Sequence, residues 1–325
     1  MLVYLIRRLG QSLLIVAVMA TLVFLAVYAV GNPIDILANP NADQQERDAI
    51  ARSLGLDRPL YAQFGTFVWN ALHGDLGRSF VYNVPAVDVI LQRLPATLEL
   101  ALVGLIFSIL IGIPLGMLAG LRPEGLLGRT IMSGSILGFS LPNFWIGLML
   151  ILFFAVEWRI LPASGRGETV EVLGVPVALL TADGWRHLIL PALTLALYKS
   201  ALVVRIAQAG TREVMLQDFI RFARAKGLSP SRIVGVHVLK NILIPVVTVL
   251  GLELGSMIAF AVVTETVFAY PGMGKLLIDS INRLDRPIIV AYLMLTVLIF
   301  VVINLIVDLL YAAVDPRVRL AEAKG

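Results

Sequence analysis

Ile242-Leu-Ile-Pro-Val-Val-Thr-Val-Leu-Gly-Leu-Glu-Leu-Gly-Ser-Met-Ile-Ala-Phe-Ala-Val-Val-Thr-Glu-Thr266 runs for 25 residues with two charges, Glu253 and Glu265. As a helix rising about 1.5 Å per residue it exceeds the roughly 30 Å of a bilayer's hydrocarbon core. Five further windows look alike: 9–30, 97–121, 131–156, 188–207 and 288–313. The six together hold only Glu99, Lys199, Arg205, Glu253, Glu265 and Asp308, out of 26 Lys/Arg and 22 Asp/Glu in 325 residues. Charged residues make up 15% of the chain, against about 25% in soluble domains, and they are pushed out of the windows. The chain reads as an all-α membrane protein with six transmembrane helices.

Composition excludes several classes. Cysteine is absent, so no disulfide framework, thiolate metal site or cysteine nucleophile exists. His73, His187 and His237 lie far apart in sequence. A net charge of +4 with no basic tract argues against nucleic acid. Gly272-Met-Gly274-Lys275 imitates a phosphate loop, but Ala269 and Leu276 stand where that motif needs glycine and a hydroxyl residue. Neither HExxH nor GxSxG occurs. Arg7 and Arg8 before an apolar run imitate a signal peptide. The run of 22 residues exceeds a signal's apolar segment and reads as a retained transmembrane helix.

Charge asymmetry orients the spans. With both termini cytoplasmic, the inside segments 1–8, 122–130, 208–241 and 314–325 carry 13 Lys/Arg in 63 residues. The outside segments 31–96, 157–187 and 267–287 carry 11 in 118, as the positive-inside rule requires. The organisation is then a first transmembrane helix within 1–30, a structured extracytoplasmic insertion at 31–96, a five-helix core at 97–313 and a cytoplasmic tail at 314–325. In the insertion, residues 41–52 read as a charged helix stopped near Gly55, and Pro59 opens a second. Gly74-Asp-Leu-Gly-Arg-Ser reads as turn punctuation, and 157–187 as a loop with room for a short hairpin.

Two places carry candidate function. Glu253 sits at mid-span, where a carboxylate costs about 2.5–3.5 kcal/mol on insertion scales, so it should face a cavity or a partner. Lys199 lies at similar depth in the fourth span and is the natural counter-ion. One reading is a structural hydrogen bond between helices; the other is a place in a solute path. The second place is the cytoplasmic loop 208–241, which predicts a helix, a sharp turn at Gly227 with φ > 0, and a second helix capped by Ser229 with Pro230 in its first turn. That loop is either a solvated basic connector or a docking element presenting Ala223, Ala225 and Gly227 as small contacts to a partner groove.

A series of landmarks then gains meaning together. They are Tyr4-Leu-Ile-Arg-Arg-Leu, Leu54-Gly-Leu-Asp-Arg-Pro-Leu, Gly74-Asp-Leu-Gly-Arg-Ser, Arg93-Leu-Pro-Ala-Thr-Leu-Glu-Leu-Ala and Ser140-Leu-Pro-Asn-Phe-Trp. After them come Leu190-Pro-Ala-Leu-Thr-Leu-Ala, Ala223-Arg-Ala-Lys-Gly-Leu, Glu265-Thr-Val-Phe-Ala-Tyr-Pro-Gly-Met-Gly and Asp315-Pro-Arg. In this order they resemble the inner-membrane permease subunits of bacterial ABC importers of the dipeptide/oligopeptide/nickel class, in the dipeptide permease B subfamily. The resemblance covers almost the whole chain.

It implies a type I ABC importer permease fold in a bacterial inner membrane. It also implies a homologous second permease, two cytoplasmic ATPases that bind ATP and Mg, and an extracytoplasmic binding protein that delivers a peptide or related small solute. This chain itself would bind no cofactor and catalyse no reaction. The family's cytoplasmic signature maps Gly227 onto its glycine and Ala223 onto its second alanine, whereas Arg221 and Phe222 replace the glutamate and first alanine. The spacing from Gly227 to Pro245 is also longer than in the general pattern. The resemblance thus implies an ATPase-coupling element comprising Asp218, Arg221, Ala223, Arg224, Ala225, Lys226, Gly227, Leu228 and Ser229, with Pro245 relaying its movement into the fifth span. From the residues alone, an ion-coupled secondary transporter or an intramembrane enzyme using Glu253 and Lys199 remains the alternative.

Overall fold

The computed structural model describes residues 2–29, 43–53 and 57–314. The chain opens with helix α1 (Leu2–Ala29), followed by α2 (Gln44–Ser53) and α3 (Leu60–Leu72). Asp43 caps α2, its Oδ1 accepting from the Glu46 N–H at 2.8 Å, and Pro59 precedes α3. The expected stop near Gly55 and the Asp315-Pro-Arg landmark fall outside the described residues.

Helix α4 (Ala86–Leu121) is 36 residues long and starts before the window expected at 97, so the segment 31–96, expected to lie outside the membrane, ends in helix. Asp88, Arg93 and Pro95 broke the apolar pattern there, but a helix continuing beyond the hydrocarbon accommodates charge freely. The third window, expected as one span, is broken. Helix α5 (Leu126–Ser140) meets α6 (Asn143–Leu150, continued by a π-helical stretch Ile151–Glu157) at 103°. Pro142 forces Leu141 out of helical geometry, to ψ 136°, and that residue makes the corner.

Strands β1 (Val170–Val172) and β2 (Val175–Val177) form an antiparallel hairpin, with Val170 opposite Val177. Helix α7 (Ala182–Met215) returns to the other side, and α8 (Asp218–Ala225) lies beyond it. One turn, Pro230–Arg232, and a π-helical stretch, Ile233–Val238, lead into α9 (Leu239–Val267). Helices α10 (Met273–Asn282) and α11 (Arg286–Val314) complete the described residues. Four described helices are long and apolar enough to cross a membrane, and six spans result if each of two bent pairs counts as one.

The long pair α4 and α7 forms the spine. Gly112, Gly116 and Gly120 recur every four residues and so share one face of α4. A methyl added at Gly112 would lie 2.5 Å from Val203 Cβ, and one at Gly116 2.5 Å from the Val204 carbonyl oxygen. Only glycine lets the two backbones approach this closely. Around the spine lie two apolar clusters, one built on Leu100, Leu188, Phe268 and Tyr270, the other on Ile113, Val203, Ile220 and Ile242.

Several landmark motifs turn out to be joints of the fold. Glu265 is fully buried; its carboxylate accepts from Thr97 Oγ1 at 2.6 Å and from the Lys275 N–H at 2.9 Å. Thr97 Oγ1 in turn accepts from the Met273 N–H at 2.8 Å. The carboxylate therefore sits on the positive N-terminal end of α10, and Gly272 leaves the space it occupies, since a Cβ there would collide with it. Asp285 similarly accepts from Ser79 Oγ and from the Phe80 N–H at 3.0 Å, fastening the Gly74–Ser79 turn to the start of α11. Arg166 donates to Glu99 at 2.9 Å and to the Pro176 carbonyl at 2.7 Å, while Glu99 accepts from the Ala178 N–H at 2.9 Å, which ties the hairpin onto α4. Burial pushes the neighbouring Tyr270 phenol above its ordinary range, reinforced by the Glu99 charge.

Candidate functional site

Lys199 on α7 and Glu253 on α9 meet within the bundle. Lys199 Nζ donates to Glu253 Oε2 at 2.5 Å and to Ser256 Oγ at 2.9 Å, and Ser256 Oγ lies 2.7 Å from the same carboxylate oxygen. Residues 253 and 256 are one helical turn apart, so the serine and the carboxylate reach the ammonium from one face of α9. The Glu253 side chain keeps 26% of its surface exposed, and the Lys199 side chain 11%. The pair is thus neutralised internally, as mid-span charges must be, yet it is open on one side.

Lys199 lines a cavity of about 300 Å³ together with Phe139, Asn143, Tyr198, Met257 and Phe260. The corner at Leu141–Pro142 builds this wall. It lays Phe139 parallel to Tyr198, ring centroids 5.3 Å apart, and aims the Asn143 amide at Thr264 Oγ1, 3.0 Å away. The Tyr198 and Phe260 rings lie 5.5 and 5.8 Å from Lys199 Nζ, and the Arg205 guanidinium lies 5.4 Å from the Phe139 ring. One cavity wall therefore offers the Lys199 ammonium, an amide and aromatic faces to a polar solute, with Glu253 and Ser256 compensating the ammonium from behind. The sequence singled out Lys199 and Glu253; it did not single out Phe139, Asn143, Tyr198, Ser256 or Phe260. Ser140-Leu-Pro-Asn was the available signal, because a proline inside an apolar window is a place where a helix bends or breaks.

At the other candidate place, α8 ends in a Schellman turn. Gly227 has φ +74°, its N–H donates to the Arg224 carbonyl at 2.9 Å, and the Leu228 N–H donates to the Ala223 carbonyl at 3.2 Å. The glycine turn is the one the spacing anticipates. Ser229 occupies the expected cap position, but its hydroxyl contacts Ser231 Oγ at 3.2 Å and caps no N–H. A second correction concerns Ala223. It is buried with Ile220, Ile233 and Val238, so its small side chain seats α8 on the bundle and is not a contact offered to a partner. Asp218, Arg221, Arg224, Ala225, Lys226, Gly227 and Ser229 are exposed, and Leu228 is half-buried. The exposed face also carries Phe222, 69% accessible, which the sequence placed at the signature's first alanine without assigning it a contact. Arg221 and Asp218 pair at 3.3 Å on the open surface, where such pairs contribute little.

Residues 112–320 match the family described as "Binding-protein-dependent transport system inner membrane component", and residues 1–101 match its N-terminal counterpart. The chain is 37% identical over 336 residues to the dipeptide transport system permease protein DppB of Escherichia coli, covering 98% of this chain and 99% of that one. It is 38% identical over 320 residues to the glutathione transport system permease protein GsiC of Escherichia coli, with the same coverage. A di/tripeptide transport system permease protein of Pseudomonas aeruginosa is 37% identical over 333 residues. Among solved structures, an inward-facing MetNI methionine ABC transporter matches with a TM-score of 0.54, covering 70% of this chain and 96% of that one at 19% identity, which supports the fold. The chain belongs to the family of binding-protein-dependent transport system inner-membrane components, and within it to the dipeptide permease B subfamily. Its role is transport, which displaces the intramembrane-enzyme and ion-coupled readings.

Proposed function

We propose that this family member forms one half of a translocation pathway for di- or oligopeptides, or for a peptide-like solute such as glutathione. The chain spans the membrane six times, with both termini cytoplasmic and residues 31–96 largely outside. A second, homologous permease supplies the other half, an extracytoplasmic binding protein delivers the solute, and two cytoplasmic ATPases hold and hydrolyse ATP with Mg.

The observation that carries this reading is the half-open Lys199–Glu253–Ser256 cluster at mid-depth beside an aromatic-walled cavity. The pair is compensated without being fully enclosed, and its lysine lines the cavity, so a charged donor stands where a solute would pass. Transient exchange of hydrogen bonds between the pair and a zwitterionic solute lets such a solute pass mid-membrane without shedding all its polar partners.

Coupling follows from connectivity. The exposed face of α8, bearing Phe222, Arg221 and Arg224, docks on an ATPase, and buried Ile220 and Ala223 make α8 move with the bundle. The π-helical stretch Ile233–Val238 then hands that movement to α9, which carries Glu253, past Pro245. Closure of the ATPases biases inward- against outward-facing states through this linkage. The test is reconstitution of the complete complex in liposomes with labelled dipeptide. ATP-dependent accumulation supports the proposal; accumulation driven by an ion gradient without ATP overturns it.

A further inference from the structure

Helix α3 (Leu60-Tyr-Ala-Gln-Phe-Gly-Thr-Phe-Val-Trp-Asn-Ala-Leu72) contains no charged residue in 13 positions, although Asp57, Arg58 and Asp75 flank it. At about 100° per residue its side chains sort into three arcs. Phe64, Phe67, Val68 and Ala71 form the first. Phe64 and Phe67 pack on Phe24 of α1, with ring centroids 5.2 and 5.8 Å apart. Gln63, Thr66, Asn70 and His73 form a polar arc roughly opposite. Between them lies a third arc of Tyr61, Gly65, Trp69 and Leu72, which no part of the described chain covers. Tyr61 is 80% exposed, Trp69 65% and Leu72 77%.

We infer that α3 is a membrane-surface helix whose Tyr61–Trp69–Leu72 edge sits in lipid, at the headgroup and upper acyl level of the leaflet reached by the C-terminal end of α1. Three observations select lipid as the occupant. Phe24 lies five residues from the end of α1, so α3 is held about 8 Å below that end along the helix axis, at interface height. Helix α1, on which α3 packs, itself leaves Leu22 and Leu25 exposed, as lipid-facing side chains are. Finally, the composition fits an interfacial belt: a tyrosine, a tryptophan and a leucine on one edge, uncharged polar groups on the other. The Trp69 and His73 rings lie 4.6 Å apart, tilted by 44°, with His73 Nδ1 2.8 Å from the Trp69 carbonyl oxygen, so the aromatic edge meets the polar arc where lipid would meet water. An apolar edge that waited for a soluble protein would stand in water whenever that protein was absent; lipid is always present.

The absence of native cysteine makes the test direct. Single nitroxide labels are placed at 61, 63, 66, 69, 70 and 72 in the full-length chain. The chain is assembled with cysteine-free partners in phosphatidylcholine/phosphatidylglycerol liposomes. Collision with oxygen and with a water-soluble nickel chelate is then measured by paramagnetic resonance. The inference predicts that the oxygen-to-nickel ratio is several-fold higher at 61, 69 and 72 than at 63, 66 and 70. Equal nickel access at all six positions would put the edge in water, and shielding of 61, 69 and 72 from both reagents would put a protein on it; either outcome overturns the inference. If labelling at 69 disturbs assembly, unlabelled protein retaining Trp69 alone among its four tryptophans provides the same reading. Its fluorescence should be quenched by shallow brominated lipid and not by aqueous acrylamide, and the reverse would refute lipid contact.

Discussion

Lys199 Nζ and Glu253 Oε2 lie 2.5 Å apart across the interface of α7 and α9, although 54 residues separate them in sequence. Either charge alone at mid-span costs about 2.5–3.5 kcal/mol on insertion scales; together they neutralise each other, and Lys199 lines the cavity. Whether they serve the path or merely the packing is decided by variants that remove one charge or both. Glu253→Gln keeps the shape and a hydrogen bond but strands the ammonium. It is expected to assemble, and to lower ATP-dependent uptake by roughly tenfold, equivalent to about 1.4 kcal/mol. Uptake rates at matched permease levels check this.

Gly227→Val addresses coupling. A β-branched residue in the left-handed conformation of this Schellman turn costs about 1 kcal/mol or more, and the turn lies outside the membrane bundle. The variant should insert at normal abundance, recover less ATPase on affinity purification and lose uptake. Phe222→Ala should weaken ATPase recovery in the same way without disturbing the turn. Pull-downs at equal permease levels compare both with wild type.

Gly272→Ala probes the joint at α10. The added methyl must displace the Glu265 carboxylate from its place on Thr97 and the Lys275 N–H, an overpacking of the kind that costs about 1–3 kcal/mol. Thermal unfolding in detergent should shift downward. Gly174→Ala in the hairpin turn, where a Cβ would meet nothing nearby but φ is +79°, carries backbone strain alone and should shift it less.

Glu99 and Arg166 supply a cycle. Breaking a buried pair from one side costs about 3–5 kcal/mol because the other charge is stranded, whereas replacing both with apolar groups is often neutral. Arg166→Met should therefore destabilise the subunit more than Arg166→Met combined with Glu99→Leu, although the Ala178 N–H loses its acceptor in the double variant. Thermal midpoints of the two variants and wild type give the comparison.

Topology is tested by single cysteines. Ser229→Cys should be shielded from an impermeant thiol reagent in intact cells and react after permeabilisation, and Asp48→Cys should react in both. Labelling of Ser229→Cys from outside would reverse the orientation.

The long apolar windows made the helical membrane fold legible, because exclusion of charge from hydrocarbon is a strong, local constraint. Helix ends outside the bilayer were not legible. Asp88, Arg93 and Pro95 hide the first turns of α4, since charge exclusion says nothing once the chain leaves lipid. The corner at Leu141–Pro142 was written in the sequence, but a single proline bends some helices and breaks others, and neighbouring packing decides which. Lys199 and Glu253 were found because charge in an apolar window stands out. Phe139, Tyr198 and Phe260 were not, because aromatic residues are ordinary in such windows and only the fold brings them together. Ala223 shows the converse: its place in a short helix before the Gly227 turn was legible, while its direction, inward, depended on how α8 seats on the bundle.

The most direct test of the central claim replaces the ion pair with apolar residues, as Lys199→Leu combined with Glu253→Leu, in the complete complex reconstituted with labelled dipeptide. An apolar pair satisfies any purely structural requirement for neutrality at that depth. The account predicts normal assembly and ATPase recovery with ATP-dependent uptake reduced at least about tenfold, more than 1.4 kcal/mol. Normal assembly with uptake equal to wild type would contradict it.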